Sequence, residues 1–279
     1  MISKDLHMHT AYCDGACTPE EMVQSAVKKG LNTVGISGHS YTFFDTSYCM
    51  QKADIPRYIV ELRYLRAKYF DRIHVLCGVE QDYYSTYPID DFDYVIGSVH
   101  YLKVNDDTYI PVDESPAILK KAAETYFNGD IYALCEQYFE TVADVADKTD
   151  CDIIGHFDLI SKFVEDNAYS VPGSIPREVP RSAAYSVPQS QKPLFDVNHP
   201  RYVAAWQYAV DELLLFDIPF EINTGAMSRG YRTSPYPSAD MIAYIKDRGG
   251  RFILSSDAHS ANGIAYKFDK YEAFIKPSP

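Results

Sequence analysis

Short runs of apolar and β-branched residues recur along the chain and alternate with segments of helical periodicity. Each run has the length of an ordinary strand, and a helix-sized segment separates most neighbours, which favours parallel β-α units over hairpins. The seven candidate strands cover 3–7, 33–37, 73–79, 94–99, 152–155, 218–222 and 251–255. The pattern therefore predicts an α/β protein with the layout of a β/α barrel.

Helix ends are marked by local signals as well as by periodicity. Thr18-Pro19-Glu20-Glu21 has the form of a capping box with proline at the first helical position, and Gly30 fits the end of that helix. Further helices are predicted over 57–69, 116–126, 131–147, 201–216 and, after a capping Ser238, 239–248. Strands and helices thus alternate along most of the chain.

One segment, 167–200, departs from the alternation, because it is rich in Pro, Ser and Val and lacks periodicity. It is too long for a simple connection in a compact barrel. We interpret it as a long loop over the active-site face, with disorder as the open alternative. Since no internal repeat or low-complexity tract divides the chain, 1–279 is predicted to be a single barrel domain.

Composition and charge restrict the partners of this protein. A formal net charge of −13 and a pI near 5.0 oppose binding to nucleic acid or to anionic membranes. The N-terminus lacks the layout of a signal peptide, and no apolar run is long enough to span a bilayer. Scattered cysteines, three of them (Cys77, Cys135 and Cys151) within apolar patterns, indicate a reducing cytoplasm without structural disulfides. The pattern predicts no particular oligomeric state.

Most histidines of the chain obey one positional rule. Six of the eight lie on, or directly after, the last residue of a candidate strand, and Glu80 and Asp257 occupy the same kind of position. Because the carboxyl ends of barrel strands meet on one face, these side chains are expected to converge there. His74 begins a strand and His199 lies in a loop before Pro200, so both are interpreted as structural, with His74 on the opposite face.

The spacing of these residues suits metal binding. Side chains two apart on a strand point the same way, so His7 with His9, and Asp257 with His259, can each hold one ion. Mixed imidazole and carboxylate ligands suit Zn²⁺, Mn²⁺ or Fe²⁺, and nine candidates suffice for two or three ions. A lone histidine at a strand end is usually structural, but the shared rule weakens that alternative. The candidate ligands are His7, His9, Asp14, His39, Glu80, His100, His156, Asp257 and His259.

Two of the carboxylates and two cysteines need separate comment. Glu80 follows a buried strand, where an unpaired carboxylate would be costly and a cation is the natural partner. Asp14 precedes Gly15, a step that also marks simple turns, so both interpretations stay open. Cys13 and Cys17 flank this loop, but they lack the CxxC spacing of a typical metal site.

Several short motifs in order resemble those of the PHP (polymerase and histidinol phosphatase) family, over nearly the whole chain. Within the family, the chain looks most like the stand-alone histidinol-phosphate phosphatases, through Glu221-Ile222-Asn223-Thr224, Arg229 and Pro235-Tyr236-Pro237. The family motifs are His7-Met8-His9-Thr10 with Asp14-Gly15, Gly38-His39-Ser40, Gly78-Val79-Glu80, Ser98-Val99-His100, Gly155-His156-Phe157-Asp158 and Ser256-Asp257-Ala258-His259.

The resemblance implies a distorted seven-stranded, TIM-like β/α barrel, the PHP fold, holding two or three metal ions. It implies one ion held by His7, His9, Glu80 and Asp257, and a second held by His100, His156 and a bridging Glu80. A third would be held by His39 and His259. Many relatives have a histidine where this chain has Asp14-Gly15, which puts the third ion in question.

Two or three divalent cations exceed three carboxylates in charge, so the site is predicted to attract a phosphate dianion despite the acidic chain. The ions would lower the pKa of a bridging water, and the resulting hydroxide would attack phosphorus directly. Arg229 is our first choice for binding phosphate, ahead of Lys162 and Arg232. We expect catalysis to depend most on Glu80, Asp257 and Arg229.

The substrate follows from the resemblance alone, which implies hydrolysis of L-histidinol phosphate, a small phosphate monoester, to L-histidinol and phosphate in histidine biosynthesis. One alternative is a PHP-type phosphoesterase that acts on nucleotides or on DNA 3′ ends. Another is a metal-binding module without activity. The acidic charge and the absence of an attached polymerase module argue against the nucleic-acid alternative, and the complete set of candidate ligands argues against the inactive one.

Overall fold

The sheet that organises the protein is seen in a computed structural model, which describes residues 4–165 and 193–275. Seven strands of these residues run parallel in the order β1-β2-β3-β4-β7-β8-β9, and β5 and β6 form a separate antiparallel hairpin. The strands are β1 (Lys4–Asp5), β2 (Thr33–Ile36), β3 (His74–Asp82), β4 (Tyr94–Ser98), β5 (Tyr101–Asn105), β6 (Thr108–Pro111), β7 (Ile153–Ile154), β8 (Phe220–Asn223) and β9 (Phe252–Ser255). All seven strands expected from the sequence are therefore confirmed.

The two edges of the sheet approach each other just beyond β1 and β9. Met8 and Ala258 form a parallel bridge, in which the His9 N–H donates to the Ala258 carbonyl at 2.9 Å. The Ala258 N–H in turn donates to the His7 carbonyl at 3.3 Å. The sheet is thus nearly closed into a barrel, and the predicted fold class is confirmed.

Helices connect the strands and cover the outside of the sheet. Thr18 begins α1 with the predicted capping box: its hydroxyl accepts the Glu21 N–H at 3.3 Å, and the Glu21 carboxylate accepts the Thr18 N–H at 2.8 Å. The helices are α1 (Pro19–Lys28), α2 (Ile55–Lys68), α3 (Pro116–Tyr126), α4 (Ile131–Ala143), α5 (Val145–Thr149), α6 (Pro200–Leu213), α7 (Gly225–Ser228), α8 (Ala239–Asp247) and α9 (Phe268–Tyr271). The six helices expected from the sequence are found with boundaries within a few residues of the prediction, except after Ala143, whereas the short helices α7 and α9 were not expected.

Three local predictions are corrected by the structure. The helix expected over 131–147 breaks at Asp144, a residue type of low helix propensity, whose carboxylate accepts a bond from the Tyr83 hydroxyl at 2.7 Å. Glu80 does not close β3, because pairing with β4 continues to Asp82. The β5–β6 hairpin was not expected, since its short alternating runs directly follow the fourth strand.

Of the loop predicted at about 167–200, the part from 167 to 192 lies outside the described residues. The remaining residues lead into α6, whose first turn His199 caps by accepting the Arg201 N–H at 3.3 Å through Nδ1. The His199 ring also stacks on Tyr132, with centroids 3.7 Å apart. His199 therefore has a packing and capping role, as its interpretation as a structural residue requires.

The lower part of the barrel interior is filled by apolar side chains. Tyr94 lies across it, and its hydroxyl donates to the Leu6 carbonyl at 2.5 Å. A Cβ at Gly78 would lie 2.2 Å from the Tyr94 ring, so only glycine leaves room for that ring. The cluster comprises Leu6, Leu76, Tyr94, Ile96, Ile153 and Ile253. Since alternate strand residues face the same way, Glu80 on β3 points to the same side as Leu76 and Gly78.

All six cysteines are free, and Cys77, Cys135 and Cys151 are buried. In the described part of the chain, every helix is too short or too polar to cross a bilayer.

Candidate metal centre

The carboxylate of Glu80 lies at the centre of the converging histidines and is 1% exposed. Its Oε2 atom lies 2.9 Å from His39 Nδ1, 3.2 Å from His7 Nε2 and 3.4 Å from His9 Nε2. These histidines follow β1 and β2, the two strands that precede β3 in the sheet. One oxygen of Glu80 therefore faces three imidazoles.

The other oxygen of Glu80 faces histidines that follow β4 and β7, the next two strands of the sheet. Oε1 lies 2.8 Å from His156 Nε2 and 3.1 Å from His100 Nε2. Both histidines are buried, and their ring centroids are 5.0 Å apart. The two oxygens of a single carboxylate thus face two separate groups of imidazoles.

Asp257 completes the first group from the end of β9. Its Oδ1 atom lies 3.2 Å from His9 Nε2 and 3.8 Å from His7 Nε2. The backbone of Asp257 has a φ of 47°, an uncommon left-handed conformation for a residue with a side chain. Such conformations are held by the surrounding structure and are frequent at functional sites.

A third group lies at the more exposed rim, around the Asp14 carboxylate. Asp14 lies 3.1 Å from His259 Nε2, 3.6 Å from His39 Nε2 and 3.7 Å from His9 Nδ1. A Cβ at Gly15 would lie 2.4 Å from the backbone of His9, so glycine is required for the loop to fold back here. The Asp14-Gly15 step therefore brings a carboxylate to the place between three histidines.

Burial and charge determine the ionisation of these side chains. Burial opposes a charged carboxylate, but His39, His7 and His100 outweigh it and hold the pKa of Glu80 well below its ordinary value. Burial likewise opposes the charge of Asp257, yet Arg229 and His7 hold its pKa well below the usual range. Both acids are therefore negatively charged at neutral pH.

The histidines of the cluster differ in their pKa. Burial lowers the pKa of His9 to about 3, assisted by the neighbouring His259 and His39, so His9 is neutral. Burial also disfavours the charged form of His39, but Glu80 and Asp14 raise its pKa to about 9. The cluster therefore carries excess negative charge. When no other cation balances that charge, some of the imidazoles gain protons.

The chemistry of the cluster fits divalent cations. Three buried atoms that face one another, His7 Nε2, His9 Nε2 and Glu80 Oε2, make no well-aligned hydrogen bond with the described residues, although Glu80 Oε2 lies 2.9 Å from His39 Nδ1. Such unpaired buried polar atoms are rare unless a ligand or water satisfies them. Ligand atoms lie within 4.8 Å of one another in four sets: His7, His9 and Asp257; His7, Glu80 and His156; His39, Glu80 and His100; and His9, Asp14, His39 and His259. The cluster thus offers mixed nitrogen and oxygen ligands for more than one divalent metal ion.

All nine candidate ligands of the sequence analysis belong to at least one of these sets. His74, in contrast, is exposed at the first residue of β3, at the opposite end of the strand from Glu80. Cys13 Sγ lies 3.6 Å from His9 Nδ1, but burial raises the pKa of its thiol to about 12, which opposes a thiolate ligand. The strand-end rule therefore separates the converging histidines from the remote one.

The three candidate phosphate-binding cations lie in different surroundings. Arg229 follows β8 at the rim, where its guanidinium contacts the Asp257 carboxylate at 3.2 Å and the His259 ring at 2.5 Å. Lys162 is paired with Asp113 at 2.9 Å. Arg232 is buried, and its guanidinium bonds the Ser161 hydroxyl at 2.6 Å. Arg229 is the one of the three that directly contacts two of the candidate ligands.

Two buried acids behind the cluster were given no role in the sequence analysis, although Glu221 belongs to one of the motifs named there. Glu221 Oε1 lies 2.7 Å from His7 Nδ1, and Asp82 Oδ2 lies 3.2 Å from His100 Nδ1. The sequence did contain a signal for such acids. Side chains an even number of residues apart on a strand point to the same side, and Asp82 lies two residues after Glu80. Their roles depend on which strands lie side by side, which the pattern of one strand does not reveal.

Comparison with known proteins gives a consistent picture. The model of the PHP domain matches residues 5–182. A Deinococcus radiodurans protein named "Probable histidinol-phosphatase" is 27% identical over 95% of this chain and 89% of its own, and the histidinol-phosphatase of Bacillus subtilis is 24% identical over 99% of both. The histidinol phosphate phosphatase of Lactococcus lactis, solved with zinc, L-histidinol and phosphate, has the same fold, with a TM-score of 0.63, 18% identity and coverage of 98% of this chain and 92% of that one. The match to the domain model covers more than half of the chain, which therefore belongs to the PHP family.

Proposed function

We propose that this protein is a metal-dependent phosphomonoesterase that hydrolyses L-histidinol phosphate to L-histidinol and phosphate. The observation that best supports this function is that imidazoles face both oxygens of Glu80, an arrangement suited to holding adjacent divalent cations. The names of relatives aligned over most of the chain support the choice of substrate. The free cysteines agree with a reaction in the reducing cytoplasm.

Each candidate ligand receives a role in this proposal. Asp257 and Glu80 would hold one ion with His7 and His9, and Glu80 would reach a second ion with its other oxygen. The rim group would hold a third ion, with Asp14 in the place of the histidine found in many relatives. The full assignment follows the family resemblance and uses contacts that the carboxylates make: His7, His9, Glu80 and Asp257 for the first ion, Glu80, His100 and His156 for the second, and Asp14, His39 and His259 for the third.

Divalent cations in such a site lower the pKa of a water molecule and neutralise charge on phosphoryl oxygens during in-line displacement. The protein's own contribution is to keep the acids of the cluster ionised. Glu80 stays charged because the pKa of its buried carboxyl is held down by surrounding imidazoles. No serine or cysteine nucleophile is needed, since water supplies the oxygen that joins phosphorus as the bond to the leaving alcohol breaks.

Arg229 is the proposed phosphate-binding cation of the protein itself. Its side chain is 28% exposed at the rim, beside Asp257. Burial disfavours the charged guanidinium, but Asp257 raises its pKa, so the positive charge persists. A guanidinium in this position can donate two parallel hydrogen bonds to phosphate oxygens. Lys162 and Arg232 are weaker candidates, because the carboxylates they pair with, Asp113 and Asp158, do not belong to the metal cluster.

A screen of phosphate release combined with metal analysis tests the proposal. Purified protein loaded with Zn²⁺ or Mn²⁺ should release phosphate from L-histidinol phosphate much faster than from nucleoside monophosphates or from 3′-phosphorylated single-stranded DNA. A preference for the nucleic-acid substrates would favour the alternative phosphoesterase. A metal-replete protein inert towards every phosphomonoester would favour a binding module.

A further inference from the structure

The carboxylate of Glu221 lies on the far side of the His7 ring from the metal-facing nitrogen. His7 Nδ1 lies 2.7 Å from Glu221 Oε1, while His7 Nε2 faces Glu80 at 3.2 Å and Asp257 at 3.8 Å. The side chains of His7 and Glu221 are both 0% exposed. Since the Nδ1–H donates to Glu221, the lone pair of His7 is left on Nε2, the nitrogen that faces the other acids.

The second oxygen of Glu221 contacts another part of the cluster. Oε2 accepts the backbone N–H of His156 at 3.1 Å and the side-chain amide of Asn223 at 3.1 Å. The amide of Asn223 is itself oriented, because its oxygen accepts the Gly225 N–H at 2.9 Å. Glu221 therefore joins the segment after β1, which carries His7, to the segment after β7, which carries His156.

The number of hydrogen-bond donors around position 221 explains why the residue there is an acid. Three N–H groups, from His7, His156 and Asn223, point at the two oxygens of Glu221. A glutamine has one oxygen, so its amide N–H₂ would face a donor on one side or the other. An unmatched donor in a buried site is destabilising. Only an acid at position 221 satisfies all three groups at once.

The geometry points to Glu221 as a positioning residue that sets His7 and His156 together, so that one acid couples the ligand sets of two metal ions. The inference rests on the proposed metal-dependent function. Asp82 provides the contrast: its Oδ2 atom contacts the ring and the N–H of His100, a ligand of one ion. Loss of Glu221 should therefore weaken both of the first two ions, and loss of Asp82 only the second.

Metal binding to Glu221→Gln tests this inference without any substrate. We expect the affinity for Zn²⁺ to fall about 10–100-fold, the usual effect of removing an acid behind a metal-binding histidine. Competition with a chromophoric chelator measures the affinity, and metal analysis after dialysis counts the ions retained. Asp82→Asn should lose one ion and Glu221→Gln two. Glu124→Gln, at an exposed position of α3, is the matched control and should bind like the parent.

A spectroscopic measurement separates positioning from a general loss of structure. In Zn²⁺-loaded protein labelled with ¹⁵N-histidine, the parent should show one His7 species with the hydrogen on Nδ1 and with Nε2 bound to the metal, and Glu221→Gln should show a second species in which Nε2 is not bound. Parental Zn²⁺ affinity and stoichiometry in Glu221→Gln would overturn the inference. If this variant does not fold, Asn223→Ala keeps the acid but removes one donor; it should bind Zn²⁺ roughly tenfold less tightly, and parental affinity there would equally overturn it.

The proposed function fails by a different result, namely a parental protein that is loaded with Zn²⁺ but releases no phosphate. Because the affinity comparison uses no substrate, it decides the role of Glu221 in either case.

Discussion

His39 and Glu80 contact each other through both their backbones and their side chains. Their backbones form a parallel bridge, with the Glu80 N–H donating to the Gly38 carbonyl at 3.1 Å and the Ser40 N–H donating to the Glu80 carbonyl at 2.9 Å. Their side chains also meet, with His39 Nδ1 2.9 Å from Glu80 Oε2. Strand pairing therefore holds the backbone of Glu80 beside His39. As a result, its carboxylate has little freedom to move when the residues around it are replaced.

Replacement of this central acid should abolish metal binding and turnover together. We expect Glu80→Gln to lower metal content and kcat/KM by about 100-fold or more, because the substitution removes a charge shared by two ion sites. Metal analysis and phosphate release measure the two effects. His74→Gln, on the same strand but at its exposed opposite end, should leave both unchanged. Equal loss in the two variants would contradict the assignment of the site to the strand ends.

Removal of metal should abolish activity reversibly. Dialysis against a chelator is expected to stop phosphate release, and added Zn²⁺ or Mn²⁺ to restore it better than Mg²⁺, which prefers oxygen ligands. Zn²⁺ should also raise the Tm, since a ligand at 100 times its Kd stabilises the folded state by about 2.7 kcal/mol. Full activity in protein shown by analysis to be metal-free would refute the proposed reaction.

We expect phosphate binding to depend on the bidentate geometry of the Arg229 guanidinium as well as on its positive charge. We expect Arg229→Lys to lower kcat/KM roughly 10–100-fold, the equivalent of one or two hydrogen bonds to a charged group. Arg251→Lys is the matched control, because Arg251 is 57% exposed and pairs with Asp217 away from the cluster. Steady-state kinetics measures both variants. Parental kcat/KM in Arg229→Lys would exclude a bidentate role in phosphate binding.

A pH-dependent effect is expected where α4 and α6 begin. Arg201 contacts Glu136 at 2.6 Å and Asp130 at 2.7 Å, and its hydrogen bonds lower the pKa of both carboxyls from ordinary values of 4.5 and 3.8. A lowered carboxyl pKa adds stability above the ordinary value, and that stability is lost as pH falls through the lower one. Arg201→Gln should therefore lower the Tm at pH 7, and the difference should shrink below about pH 4.

Thermal unfolding of Arg201→Gln and the parent across this pH range measures the effect. Arg57→Gln serves as the control, because Arg57 is 75% exposed, pairs within the described part of the chain with Asp54 at the N-cap of α2, and should contribute little at any pH. A Tm difference for Arg201→Gln that is constant from pH 7 to pH 3 would refute the role of the two carboxylates.

Much of the fold is predictable from the sequence because its signals are local. The capping box at Thr18 and the apolar runs depend on residues close in the chain, and the strand-end position of His7 and Glu80 follows from those runs together with the geometry of parallel strands. These signals predicted the seven strands of the barrel and the convergence of the candidate ligands.

The remainder depends on contacts between distant strands. Glu221 meets His7 across 214 positions of the chain, so no periodicity of β8 alone distinguishes it from an ordinary buried acid. The hairpin at 101–111 was missed because it begins directly after His100, where the expected pattern placed a connection to a helix. Similarly, the left-handed backbone of Asp257 is imposed by its surroundings and has no signal in the residues beside it.

The ring of Tyr94 and the aliphatic side chains around it close the lower end of the barrel directly below the acids. Among the described residues, the exposed side of the cluster is the rim around Asp14 and Arg229, so we expect small molecules to enter and leave there. Phosphate left behind after the alcohol departs would lie on the path of the next substrate, and we therefore expect inorganic phosphate to inhibit the reaction competitively.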